Sequence, residues 1–279
     1  MTLARRLTRK LGLHRSGSSF PFISGDTYRA LCDFSYDGDN YQLSQQLDEF
    51  SKKSSKKLFV PLPLATQFLK WVESDQRDFS AYQLLLHNGD TLPQQDDLEL
   101  LSSRFNSVKC VNWMGKARNI KAIPIGLENR SLHVNGVPKD FIKLIKDGIP
   151  EIQSRKNQLL VSFNISTNTG ERSDALDAAS SCTEVPMRQF QGSLRQYHRE
   201  LISSKYVLSP PGNGVDCHRT WEAMYLGAIP IVKKKYWPFN HLNLPVIVLE
   251  DWADLNKLSL AEEKSQTNVE SLKELFLEN

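Results

Sequence analysis

Between Ser203 and Val232 the chain reads SSKYVLSPPGNGVDCHRTWEAMYLGAIPIV, and no other stretch restricts the fold as much. Tyr206, Val207 and Leu208 form a short buried strand. Pro210-Pro211-Gly212-Asn213-Gly214 cannot prolong it, because proline lacks the ladder N–H and glycine favours turns. Asp216 is placed to cap a helix over Cys217 to Leu226, and Gly227 falls where a left-handed residue ends such a helix before a strand at Ile229 to Val232. This is one βαβ unit. Units of this kind bind ligands beyond the carboxyl ends of their strands, and a glycine-containing loop entering a helix offers free N–H groups to an anion. A diphosphate has the right charge and size for that place.

The rest of the chain repeats the pattern. Strands are expected at Lys57 to Pro61, Tyr82 to His87, Ser107 to Val111 and Ile120 to Pro124, with helices at Ala65 to Glu73 and Leu98 to Phe105. After the polar stretch Glu151 to Asn157 come a strand at Gln158 to Asn164, a helix at Leu194 to Ser203 and a strand at Lys205 to Leu208, before the unit described above. Hydrophobic segments alternating with amphipathic ones predict an α/β fold. The length of 279 residues suits two domains. We therefore expect a basic N-terminal tail (1–20), a first domain (21–152) and a second domain (153–279).

With 40% hydrophobic and 24% charged residues the chain can bury a core, which excludes wholesale disorder. It holds no apolar run long enough to span a bilayer as a helix and no apolar stretch of a signal peptide in residues 1–20, so a cytoplasmic location is expected. Residues 1–16 carry Arg5, Arg6, Arg9, Lys10 and Arg15 without an acidic residue, and Leu3, Leu7 and Leu11 recur four apart. The segment reads as a solvated tail, as a short amphipathic helix that makes peripheral contact with an anionic membrane, or as a mitochondrial presequence. Cys32, Cys110, Cys182 and Cys217 lie too far apart for a CxxC zinc site and read as free thiols. Lys233-Lys234-Lys235 beside Tyr236 and Trp237 falls short of a nucleic-acid-binding stripe, so no nucleic-acid partner is expected.

Arg219 and Glu222 stand three apart on the helix that follows the Pro-Pro-Gly-Asn-Gly loop. They read either as a surface ion pair or as ligands, Arg219 for phosphates and Glu222 for a ribose hydroxyl. The candidate donor-binding set is Arg172, Pro211, Gly212, Asn213, Asp216, His218, Arg219 and Glu222. Arg172 lies in NTGER beyond a strand, either as a second phosphate ligand or as an exposed arginine, and His218 either touches phosphate or decorates the helix start. Asp26 and Asp90 follow apolar stretches in loops and are candidate catalytic bases, each also readable as a cap or turn residue. His87 reads as a base or a satisfied strand-end residue. Asp37-Gly38-Asp39 matches DxD but lies in a polar turn, so no metal or other cofactor is expected.

The pattern Ser209-Pro210-x-Gly212, then Asp216-x-x-Arg219-x-x-Glu222-Ala223, then Gly227-x-Ile229-Pro230 resembles the donor-binding half of exostosin-like glycosyltransferases. SGDTYR at 24–29, LLLHNGD at 84–90 and IPIGLEN at 123–129 resemble segments found in that order in microbial members, so the resemblance spans roughly residues 20–250. It implies a GT-B architecture of two Rossmann-like domains facing each other across a cleft, the first handling the acceptor and the second the nucleotide sugar. It also implies transfer to a hydroxyl of a glycan or glycolipid, with inversion and without a required metal. The chain is short for the family and lacks the long membrane anchor of secretory-pathway members, which fits a microbial, cytoplasmic type. Alternatives are another GT-B enzyme, fucosyltransferase-like or a nucleotide-sugar epimerase, and a non-catalytic glycan-binding protein.

Overall fold

Runs such as Leu58-Phe59-Val60 and Leu84-Leu85-Leu86 show no polar alternation, so strands built from them must be covered on both faces, as in parallel sheets with helical crossovers. The computed structural model describes residues 18–49, 56–132, 135–183 and 185–257. The basic segment 1–16, with its expected membrane contact, and the apolar C-terminal patch Leu272, Leu275 and Phe276 lie outside the described residues.

Two parallel sheets of five strands organise the chain. In the first, β1 (Phe34–Ser35), β2 (Lys56–Pro61), β3 (Tyr82–His87), β4 (Ser107–Val111) and β5 (Ile120–Ile123) lie side by side in chain order. Leu58 pairs with Leu84 and Cys110 with Ala122, which sets the all-buried rows in register. The helix Ala65–Ser74 buries Phe68, Leu69 and Val72. Phe68, Phe79 and Phe105 pack ring to ring beside it, with centroids 5.1 to 6.0 Å apart along the Phe68–Phe105–Phe79 path.

The second sheet has the order β10 (Ile247–Leu249), β9 (Ile229–Lys233), β8 (Ser204–Leu208), β6 (Lys156–Val161), β7 (Met187–Gln189), all parallel. From β6 the chain moves outward to β7, then returns to the other side of β6 to lay down β8. The strand order thus reverses between β6 and β8, and at such a switch point the loops beyond adjacent strand ends diverge and leave a crevice. This mixed α/β organisation is Rossmann-like in both sheets.

The chain divides into two compact units, one built on Ser24–Ile125 and the other on Pro21–Ile23 with the chain from residue 126 onward. The expected boundary near 152 lies just before β6, where the second sheet begins. Residues 126–151 nevertheless group with that sheet through their own contacts. Leu127 N–H donates to Ile23 O at 2.8 Å, and Phe141, in the helix Pro138–Asp147, packs its ring edge-on against His198 at 5.0 Å.

Arg155, at the mouth of the second sheet, is buried and donates to three carbonyls: Pro150 through Nε at 3.0 Å, Leu201 at 3.4 Å and Leu226 at 2.9 Å. Gly227 adopts φ +74° as expected for the residue ending the helix. A Cβ there would lie 2.5 Å from Arg155 Nη2, so this glycine serves both the turn and the arginine clip.

Candidate functional site

The site assembles where the strand order reverses, from the loop after β6 and the loop after β8. β6 ends at Val161, short of the expected Asn164, so the carbonyls of Ser162 and Asn164 leave the sheet and turn toward side chains. Beyond β8, Ser209 shares a hydrogen bond with Thr220 (2.7 Å), and Gly212 N–H donates to Gly214 O at 3.0 Å, closing the turn. Pro211 is buried, Gly212 half-buried and Asn213 exposed.

The helix α8 (His218–Tyr225) starts one residue later than its sequence suggests. Cys217 takes the N-cap position, and the expected capping by Asp216 is not what its side chain does. Both carboxylate oxygens of Asp216 accept from Trp221 Nε1, at 2.9 and 3.0 Å, and Oδ1 also accepts from Cys217 N–H at 2.9 Å. A buried indole N–H needs an acceptor, and this demand outweighs capping.

Two guanidinium groups converge on the loop. Arg172 lies in the helix Thr169–Ser181, α6 in chain order, and is only 6% exposed, which rules out the reading as a solvent-exposed arginine. Its Nε donates to Pro211 O at 2.8 Å and its Nη1 to Asn164 O at 2.5 Å. A Cβ at Gly212 would sit 2.7 Å from Arg172 Nη2, so a side chain there would displace the guanidinium that lies against the loop. Arg219 donates from Nε to Ser162 O at 2.9 Å and from Nη1 to Pro210 O at 3.5 Å. Both guanidinium carbons face the ring of Phe163, at 5.5 Å for Arg172 and 5.2 Å for Arg219. Among the described residues neither arginine forms an ion pair with a carboxylate. Burial, then the charge of Arg219, pulls the Arg172 guanidinium below its ordinary range. Two like charges held close repel, and an anion bound between them would offset that cost.

Glu222 does not pair with Arg219 as the surface reading has it. It is buried, and its Oε2 accepts from Tyr197 OH at 3.1 Å across to the helix Leu194–Ser203, α7. Burial pushes its carboxyl above the ordinary 4.5, Glu128 adds to the rise, and His218, Tyr197 and Arg219 oppose it. Because the folded-state pKa is raised, the native protein keeps a proton that the unfolded chain releases, and stability falls as pH climbs from about 4.5 through the folded value. Glu222→Gln keeps an oxygen for Tyr197 and removes the buried charge. It is expected to match the parent protein near pH 4 and to exceed it in stability at pH 7, read as the urea midpoint at the two pH values.

His218 opens α8, and its Nδ1 lies 2.8 Å from Gly126 O. Beside Phe163 a cavity of about 150 Å³ opens at the ends of β6 and β7, lined by Phe163, Asn164, Leu176, Gln189, Phe190 and Gln191. Its walls combine two aromatic rings and side-chain amides with the aliphatic side chains of Val161, Ile165 and Leu176.

The other expected residues lie in the first unit. Asp26 sits in the first turn of the helix Gly25–Ala30, where Ser24 caps by accepting from Thr27 N–H. Asp90 is exposed in the turn after β3, and its backbone carbonyl accepts from Asn112 Nδ2 at 3.4 Å. His87 is buried: Nδ1 accepts from Asn88 N–H at 2.7 Å and Nε2 faces Pro124 O at 3.1 Å, so this ring is the satisfied strand-end residue. Asp39 accepts from Gln42 N–H at 2.9 Å, a helix-start role, and Gly38 has φ +101°. Among the described residues no group of three His, Cys, Asp or Glu stands close enough to hold a metal ion, and no helix is long and apolar enough to cross a membrane. Lys233 pairs with Glu171 and Asp251, at 3.4 and 2.9 Å, and Lys234 with Glu250, so two lysines of the KKK run are engaged within the fold.

Phe163 and Tyr197 escaped the sequence reading. An aromatic residue two positions past a buried strand, as in LLVSFN, is a weak sign of a stacking platform, and nothing in the sequence around Tyr197 marks it as a partner of Glu222. Gly126 and Glu128 belong to the IPIGLEN segment already noted, though without a role.

No curated protein matches the chain. Residues 168–275, within the second unit, match the family described as the RXYLT1 C-terminal domain, which is exostosin-related. That segment, which contains α6, the Pro-Pro-Gly-Asn-Gly loop, Arg172, Arg219 and Glu222, is therefore similar to a glycosyltransferase-family domain.

Proposed function

We propose that the chain is a glycosyltransferase that moves a sugar from a nucleotide-sugar donor to a hydroxyl of a glycan or glycolipid, with inversion and without a required metal ion. The observation that carries this reading is the pair of guanidinium groups, Arg172 and Arg219, gathered on the loop after β8, neither in an ion pair with a carboxylate among the described residues. Displacement at an anomeric carbon releases a diphosphate, and cations fixed where that charge develops stabilise the transition state more than the ground state. In this reading the N–H groups of Asn213 and Gly214 and both arginines hold the diphosphate, and the second carboxyl oxygen of Glu222 takes a ribose hydroxyl. The cavity lined by Phe163, Phe190 and the amides suits a flat heterocycle, so we assign it the base of the nucleotide. The GT-B arrangement, with acceptor binding by residues 21–152 and donor binding by 153–279, belongs to the same proposal. Asp26 and Asp90 are the acceptor-side carboxylates available to it.

The test is incubation of the purified chain with a panel of nucleotide sugars and sugar acceptors, followed by product analysis. Sugar transfer or donor hydrolysis with release of a nucleoside diphosphate is expected. Isomerisation of the donor would instead support an epimerase, and binding without turnover a glycan-binding protein. The same assay in EDTA is expected to retain activity; complete loss restored by manganese would give Asp37 and Asp39 a metal-binding role.

A further inference from the structure

The imidazole of His218 is oriented by a closed circuit of hydrogen bonds that begins and ends on α8. Tyr225, at the end of that helix, accepts at its hydroxyl from Ile23 N–H at 3.0 Å. Ile23 O in turn accepts from Leu127 N–H at 2.8 Å. The neighbouring Gly126 adopts φ +68° and lies so close to Ile23 that a Cβ would stand 2.1 Å from its carbonyl oxygen. Gly126 O faces His218 Nδ1 at 2.8 Å, back on the first turn of α8. A carbonyl only accepts, so Nδ1 carries the hydrogen and the neutral ring keeps its lone pair on Nε2. His218 is half-buried, which leaves the ring within reach of solvent or a ligand.

Resting on the transferase reading above, we propose that His218 is the general base, in place of Asp26 or Asp90. The acceptor oxygen attacks the anomeric carbon while its O–H proton passes to Nε2 of His218. The bond from that carbon to the diphosphate oxygen breaks, and its electron pair leaves with the diphosphate, whose charge Arg172 and Arg219 meet. The base then stands as an imidazolium donating through Nδ1 to Gly126 O, with Glu222 one helical turn away to balance the charge. Glu222, on α8, interacts electrostatically with His218, and Glu222 in turn interacts with Arg219 on α8, Glu128 on the Gly126 segment and Tyr197 on α7.

His218→Asn tests this, because its amide N–H can still donate to Gly126 O while nothing remains at the Nε2 position to take a proton. Turnover of the nucleotide sugar that the wild-type chain consumes is expected to fall by about 100-fold or more. Affinity for UDP, GDP or ADP, whichever the wild type binds, should change by no more than about threefold. His218→Ala should regain turnover on addition of imidazole, in proportion to its free-base form, which neither a packing role nor a phosphate-binding role would produce. Nitrogen NMR of the wild-type protein should show hydrogen on Nδ1 in the neutral ring. The proposal is overturned by near-wild-type turnover of His218→Asn, by joint loss of nucleotide affinity and turnover, by absence of imidazole rescue, or by hydrogen on Nε2. If the wild type consumes no nucleotide sugar of the panel, the transferase reading itself fails, and the assignment of a base falls with it.

Discussion

Arg219→Ala is expected to lower sugar transfer by about 100- to 1,000-fold, a loss of roughly 3–4 kcal/mol of transition-state stabilisation. The effect should lie in kcat, since the diphosphate gains charge as the bond breaks. The side chain donates to Ser162 O and lies against Phe163, so its loss also removes local packing. Those contacts link α8 to the loop after β6 rather than fill a core, and the stability cost is expected to be about 1 kcal/mol. Arg219→Lys keeps the charge but loses the planar fork and the ring contact, and should recover only part of the rate. Steady-state rates beside thermal melts separate the two effects: a folded Arg219→Ala protein with wild-type turnover would remove the arginine from the chemistry.

Arg155→Ala is expected to produce the largest loss of stability in the second unit, about 3 kcal/mol or more, because it leaves the carbonyls of Pro150, Leu201 and Leu226 without their donor. Burial pulls this guanidinium down to about 10, the mark of a cation that is costly to hold and is kept by its acceptors. The clip ties the chain before β6 to the ends of α7 and α8, so its loss should also loosen the helix that carries Arg219. Arg155→Lys, with one ammonium for three separated carbonyls, should recover less than half. Urea unfolding followed at the tryptophans of the second unit measures the difference, and a change below about 1 kcal/mol would mean that water replaces the lost donors.

Much of the scaffold is legible in the sequence because parallel strands are continuous apolar runs. β3 and β4 fall where Tyr82–His87 and Ser107–Val111 read them, and the glycine that ends α8 was marked by position alone. The loop after β8 was legible because proline and glycine admit few alternatives. The partners of polar side chains were not. Asp216 has the composition and place of a helix cap, yet it serves the indole of Trp221, which only the packed core brings within reach. Arg172 is by type an exposed residue, and its burial follows from the reversal of strand order that lays its helix against the Gly212 turn. Glu222 and Arg219 have the spacing of an ion pair, but each finds a partner on another element. The circuit through His218 joins Ile23 to Tyr225, 202 residues apart, and no local pattern announces a contact of that range.

The central claim is that the second unit holds a diphosphate between Arg172, Arg219 and the loop after β8. Calorimetric titration of UDP, GDP and ADP into the wild-type chain, Arg219→Ala and Asp90→Asn tests it most directly. The account predicts binding of at least one nucleoside diphosphate by the wild type, affinity kept in Asp90→Asn, and a loss of about tenfold or more in Arg219→Ala, the worth of one charge-assisted contact. Equal affinity in wild type and a folded Arg219→Ala protein, or loss in Asp90→Asn alone, would contradict it.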